Sequence, residues 1–199
     1  MGLNEHIAVQ TPSTEPSRST EFTTFMRAYQ DMVFSTAARL AGNDSQAQDI
    51  AQETFIRAYE HFDELHSSPA AGGWLKTVTT NLALNYLTRY RGRWRLFSEM
   101  TAGAAEEDSP EVQLPLPDRL LENLGEEQQR AAIDAALRRL PEHQRVPLVL
   151  YHFEDLSYQE IAERLRVSLA KVKTDIRRAR AAMLPLLRSA GHAGGEWQD

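Results

Sequence analysis

The 199-residue chain contains no cysteine. That removes a disulfide framework, a thiolate nucleophile and a Cys-ligated zinc site together. It also has no run near the roughly 18 apolar residues that a membrane helix needs. The polar opening stretch, Met1 to Thr20, lacks the apolar core of a secretory signal and reads as a disordered tail, 1–20. These absences point to a cytoplasmic protein without direct membrane insertion. No segment alternates apolar and polar residues as a half-buried strand would. No glycine-rich phosphate loop or nucleophile elbow is present. The 6 histidines are scattered, and His61 and His66 lack the spacing that puts two ligands on one helical face. The expectation is a protein with no metal, no cofactor and no catalytic residues, hence not an enzyme.

Charge is abundant but segregated. The formal net charge is −6, which taken alone argues against a nucleic-acid partner. From Lys76 to Arg95, however, the charged residues are all basic: Lys76, Arg89, Arg91, Arg93 and Arg95. From Arg164 to Arg188 the single acid is Asp175, among eight bases. From Glu106 to Glu127 the sign reverses, with Arg119 the single base among eight acids. Local clustering, not the total, decides which surface meets a phosphate backbone.

The apolar periodicity is helical throughout, so the fold class expected is all-α. Phe25, Tyr29, Met32, Val33, Ala37 and Leu40 form one stripe, and Gly42 ends that helix. Ser45 to Gln48 reads as a capping box for the next, whose apolar face is Ile50, Phe55, Ala58, Tyr59 and Phe62. After a Pro- and Gly-containing break, Trp74 to Arg89 places Trp74, Val78, Leu82 and Tyr86 on one stripe. Residues 99–128 read as a flexible acidic linker. A second helical unit, 129–188, buries Ile133, Ala136, Leu137 and Leu140, then Val146 to Leu150 and Phe153. A capping box, Ser157 to Glu160, opens a short helix carrying Ile161, Ala162 and Leu165. Arg166 and Val167 turn the chain, and Ser168 caps a last helix burying Val172, Ile176, Ala179 and Met183, with Pro185 expected to kink or end it. Residues 189–199 form a tail.

The last two helices and their turn describe a helix-turn-helix. Lys171, Lys173, Thr174, Arg177 and Arg178 point away from the apolar stripe, as a helix in a DNA major groove requires. The scarcity of acids speaks against an ordinary solvated face, where i,i+4 pairing interleaves both signs. This motif alone leaves open an operator-binding transcriptional regulator with an N-terminal sensing domain. The acid-free basic stretch from Lys76 to Arg95 is not something a sensing domain needs.

The blocks Asp49-Ile-Ala-Gln-Glu-Thr-Phe-Ile-Arg-Ala-Tyr59 and Trp74 to Arg89 resemble region 2 of the extracytoplasmic-function sigma factors, and the second unit resembles their region 4. The resemblance implies two small helical domains: 21–98 for core polymerase and −10 promoter binding, and 129–188 for −35 binding. It implies that Asp49, Gln52, Glu53, Phe55 and Arg57 meet core RNA polymerase. It implies that Trp74, Lys76, Asn81, Asn85, Arg89, Arg91 and Arg93 hold the opened −10 DNA, and that Glu64 to Ala71 is a base-receiving loop. Lys171, Lys173, Thr174, Arg177 and Arg178 would then read the −35 element of promoter DNA. An anti-sigma factor is a further partner the family implies. The chain departs from the family pattern at Gln46 and Gln48, where acids are frequent, at Arg166 in the turn, and at Pro147 inside a helix.

Overall fold

A computed structural model describes residues 17–89 and 125–193. Of the expected tail, 1–20, residues 1–16 lie outside the described residues, while 18–20 are already helical; most of the linker, Arg91 and Arg93 also lie outside the described residues. Among the described residues there are eight helices and no strand. The first half comprises α1 (Arg18–Ala41), α2 (Asp44–Glu60), the short α3 (Phe62–Leu65) and α4 (Ala71–Arg89). The second comprises α5 (Glu126–Arg139), α6 (Glu142–His152), α7 (Tyr158–Leu165) and α8 (Leu169–Ala193).

The local signals act close to where the sequence puts them. Gly42 adopts φ 80°, and its N–H donates to the Ala38 carbonyl at 2.8 Å, closing α1. The cap of α2 is Asn43, whose side chain accepts from the Gln46 N–H at 2.9 Å, two residues before the expected Ser45. Asn is as good a cap as Ser, and the αL turn at Gly42 already delivers the chain to Asn43 in the extended conformation a cap needs. The Ser157–Glu160 box forms as expected, with the Ser157 N–H donating to the Glu160 carboxylate at 2.8 Å. Ser168 caps α8 by accepting from the Lys171 N–H at 3.2 Å.

Neither Pro147 nor Pro185 ends its helix. Pro147 lies inside a continuous α6, buried, and Pro185 lies inside an α8 that runs on to Ala193. At Pro185 the carbonyl deprived of its partner belongs to Ala181, and both residues are exposed, so water can satisfy it.

The stripe expected on α4 is off by one position. Leu75, Thr79, Thr80, Ala83, Leu84 and Leu87 are buried, whereas Trp74, Val78, Leu82 and Tyr86 are half-buried. Threonine hides the signal. The Thr79 hydroxyl donates to the Leu75 carbonyl at 2.7 Å and that of Thr54 to Ile50 at 2.8 Å. A hydroxyl so bonded to its own helix can enter a core.

Two apolar clusters organise the molecule. One joins Phe25, Val33, Ala58, Phe62, Leu65, Ala71 and Leu75, with Phe25 edge-on to Phe62 at 5.6 Å. The other is continuous across both halves. It runs from Ala37, Leu40 and Leu84 in the first to Leu137, Leu148, Leu150, Ile176 and Met183 in the second. Within it α6 is buried along Arg145 to Leu150, because it packs between α8, α7 and α1.

The Arg145 guanidinium donates to the Ala41 carbonyl at 3.0 Å, to Leu40 at 3.4 Å and to Leu140 at 3.1 Å. A Cβ at position 42 would lie 2.3 Å from that guanidinium, so Gly42 is required by contact as well as by φ. Gly42→Ala should therefore cost about 2 kcal/mol or more, from backbone strain plus displaced buried bonds. Arg166 holds φ 54°, a left-handed conformation that glycine adopts without strain, so Arg166→Gly should stabilise by about 1 kcal/mol. Urea unfolding midpoints of the two variants should move in opposite directions.

Candidate nucleic-acid and protein interfaces

The turn between α7 and α8 is tight because the Val167 N–H returns to the Ala162 carbonyl at 3.0 Å while Arg166 takes the left-handed conformation. This fixes α8 across α7 and α6, with Val172, Ile176, Ala179 and Met183 inward. Lys173, Arg177 and Arg178 are exposed on the opposite side, and Thr174 is half-buried. Lys171 is the exception within the expected set. Its ammonium pairs with the Asp175 carboxylate at 3.0 Å, and that carboxylate is only 7% exposed. The one acid in the basic stretch is thus an internal i,i+4 partner.

On α4 the expected set divides. At 100° per residue, Trp74, Asn81 and Asn85 fall within about 40° of one another. Asn81 and Asn85 are exposed, and Trp74 is half-buried, its ring 5.6 Å from that of His61. Lys76 lies about 140–180° around the helix from the two asparagines. It faces the second half, where its ammonium donates to the Phe153 carbonyl and lies 3.8 Å from the Glu154 carboxylate. Thr80, one turn on, donates its hydroxyl to the same carboxylate at 2.9 Å. Arg89 ends α4.

On α2, Asp49 and Gln52 are exposed on one face. Glu53 is half-buried and pairs with Arg57 at 2.9 Å, so Arg57 is engaged within its own helix. Phe55 packs against the first cluster, so it serves the core. Ile56, 50% exposed, sits between Gln52 and Glu60 on the acidic face. Tyr59 is 43% exposed, with Arg18 5.2 Å over its ring. An apolar centre rimmed by acids is the composition of a protein-docking surface. Ile56 lies four residues after Gln52 and three after Glu53, so helical spacing puts it on their face.

The groups that join the halves were also missed. Arg39 pairs with Asp134 at 2.7 Å and lies 4.3 Å over the Phe153 ring, and Arg138 pairs with Asp44 at 2.7 Å. Burial pushes the Glu154 carboxyl above its ordinary value, against the opposing pull of Thr80 and Lys76. Burial also pushes the His152 and His143 imidazoles below 6.5, with Arg180 adding to the effect at His152.

Among the described residues no group of three or more His, Asp or Glu side chains could hold a metal, and no helix is long and apolar enough to cross a membrane.

Comparison with known proteins matches residues 25–93 to Sigma-70 region 2 and residues 130–183 to Sigma-70 region 4. The chain is 30% identical over 169 residues to the ECF RNA polymerase sigma factor SigW of Bacillus subtilis, covering 84% of this chain and 89% of that protein. It is 33% identical over 169 residues to the RNA polymerase sigma-H factor of Pseudomonas aeruginosa, covering 81% and 86%. It is 37% identical over 157 residues to the ECF RNA polymerase sigma factor SigE of Mycolicibacterium smegmatis, covering 78% of this chain but 57% of that longer protein. Among solved structures, the sigma factor RpoE in complex with the anti-sigma factor NepR from Bartonella quintana is similar at 20% identity with a TM-score of 0.42, covering 84% of this chain and 97% of that one.

Two outcomes follow from the charges. Lys173→Ala should lower the salt dependence of duplex binding by about 0.9 in the log–log slope, the value for one lost phosphate contact. Lys171→Ala should lower it less, because its ammonium is already neutralised by Asp175. The second outcome concerns pH. An imidazole held neutral in the fold stabilises fully above its unfolded value of 6.5 and loses that contribution as pH falls through its lower folded value. Glu154, raised in the fold, runs the other way near its ordinary 4.5. Urea stability should fall as the pH is lowered below the ordinary imidazole value of 6.5, and His152→Asn should flatten that decline.

Proposed function

Because the chain belongs to the extracytoplasmic-function sigma factors of RNA polymerase, we propose a division of labour among three of its faces. The α2 face with Asp49, Gln52 and Glu53 docks on core RNA polymerase, and Ile56 adds an apolar centre. The α4 face with Trp74, Asn81 and Asn85 holds the opened −10 strand, with Arg89, Arg91 and Arg93 beyond it. The α8 face with Lys173, Thr174, Arg177 and Arg178 reads the −35 element, and Lys171 plays a lesser part.

The observation that carries this reading is the common outward face of Trp74, Asn81 and Asn85 on α4 in a chain whose other half exposes a basic recognition helix. Unstacking DNA costs a few kcal/mol per step. An aromatic ring offsets part of that by stacking on a freed base, worth about 1–3 kcal/mol per base. Amide side chains can hydrogen-bond the edges of bases no longer paired. A regulator that only binds duplex operator DNA has no use for such a face. The role is one of binding and recognition, with no reaction catalysed by the chain itself. Core polymerase, promoter DNA and an anti-sigma factor are its partners, in the cytoplasm.

Run-off transcription with purified core polymerase, on DNA from upstream of the chain's own gene, tests the reading. A discrete transcript should appear only when the protein is added. Asp49→Ala with Glu53→Ala should weaken binding to core by roughly ten-fold or more, as loss of two charged contacts at an interface implies, while sparing duplex binding. Lys173→Ala with Arg177→Ala should do the converse. Loss of the same activity in both pairs would refute the division of faces.

A further inference from the structure

Among the described residues two non-glycines hold a left-handed backbone, Asp155 and Arg166, each at φ 54°. An aspartate is at home there, because its short carboxylate bonds the neighbouring backbone. An arginine has no such means, and glycine takes the same conformation without strain. At Arg166 the turn is closed by backbone groups alone: its N–H donates to the Glu163 carbonyl at 3.2 Å, and the Val167 N–H to the Ala162 carbonyl at 3.0 Å. The turn therefore needs the conformation and gains nothing from the side chain. That side chain is exposed, as are Ser168, Leu169 and Ala170 in the first turn of α8. Its charge is also unspent. Glu163, the acid nearest in sequence, accepts from the Gln159 amide at 3.1 Å. Glu154 and Glu160 feel the charge of Arg164 instead. No acid among the described residues pairs with Arg166.

In a helix-turn-helix on duplex DNA, the first helix crosses the phosphate backbone and the second enters the major groove by its N-terminal end. The turn that joins them passes over the edge of the groove, where the phosphates are. Arg166 stands in that turn, two residues before the Ser168 cap of α8. A guanidinium is charged at every working pH, and its planar fork matches two phosphate oxygens at once. Strained backbone persists where the residue serves a function that an unstrained one would not. We propose that Arg166 is a phosphate-contact residue of the helix-turn-helix, outside the recognition face of α8, and that the strain of its left-handed backbone is retained for the cation it places at the edge of the groove. The proposal rests on the reading of α8 as the helix that enters promoter DNA. A phosphate contact fixes how α8 sits in the groove and carries no base identity, so Arg166 sets affinity for all sequences alike. Fold stability and DNA binding are then opposed at this one position.

The test reads both quantities. Urea unfolding is measured on the full-length chain. Binding is measured on the complex of that chain with core polymerase, by fluorescence anisotropy of an end-labelled duplex from upstream of the chain's own gene, over a range of salt. Arg166→Gly should raise the urea midpoint and yet weaken duplex binding. The loss should reach about eight-fold at 0.1 M salt, since a log–log slope smaller by about 0.9 acts over the decade below 1 M. Arg166→Asn tolerates the left-handed turn without a charge and should lose binding to the same extent. Arg166→Lys keeps the charge and should keep the slope. A single uncharged methylphosphonate, moved along each strand, should find a position where neutralisation weakens binding by the wild type and not by Arg166→Gly. Unchanged affinity and slope in Arg166→Gly would overturn the proposal. Weaker binding at an unchanged slope, with no methylphosphonate position that separates the two proteins, would overturn it too, leaving Arg166 to orient α8 only. A lowered urea midpoint in Arg166→Gly would overturn the retained strain. Failure of the wild type to give a discrete run-off transcript from the same duplex counts against the sigma-factor reading and not against the Arg166 contact.

Discussion

One buried guanidinium ties this molecule together. Arg145, 6% exposed, donates to the carbonyls of Leu40 and Ala41 at the end of α1 and of Leu140 at the end of α5. The last turn of a helix leaves carbonyls without partners and a partial negative charge. A cation placed there satisfies both at once, which is what makes its burial tolerable. Burial still holds the guanidinium below its ordinary pKa. The contact depends on a residue with no side chain in its path and a left-handed backbone, and Gly42 supplies both. A helix stop is thereby also the socket in which the second half docks.

The position of that socket sets the state of the functional faces. Seating Arg145 against the end of α1 brings the C-terminal end of α6 to α4, so that Phe153 and Glu154 reach Lys76 and Thr80. One side of α4 becomes an internal contact, while Trp74, Asn81 and Asn85 keep a common outward side. Asp49, Gln52 and Ile56 on α2 and Lys173, Arg177 and Arg178 on α8 stay outside. Charge follows the same division. Lys76 and Lys171 meet acids within the chain, whereas Lys173, Arg177 and Arg178 remain exposed toward solvent. An overall excess of acid is thus compatible with two basic faces, because a helix a few turns long presents its own field at the distances where phosphates are met.

The all-α class, the stop at Gly42, the Ser157 box, the helix-turn-helix and the buried stripe of α8 were legible in the sequence, because each depends on residues within four positions of one another. The composition of the recognition face on α8 was legible for the same reason. Errors arose where a residue type has two solutions. Threonine is polar by composition but enters a core once its hydroxyl bonds its own helix, and this shifted the buried face of α4 by one residue. Proline breaks a helix unless the carbonyl it orphans finds water, which is why Pro185 does not end α8. Phe55 is half-buried against the first cluster, and Arg57 pairs with Glu53 while staying exposed.

What the sequence by itself determined was the all-α class, the stop at Gly42, the caps at Ser157 and Ser168 and the helix-turn-helix. The pairing of Thr80 with Glu154, 74 positions apart, and of Arg145 with Leu40, 105 apart, was decided only by tertiary structure. Local signals specify which backbone groups are satisfied within a helix. They carry no information on which distant carbonyl or carboxylate will satisfy a charge once apolar faces close over it, and that choice divides the basic residues of this chain between those left exposed and those held inside.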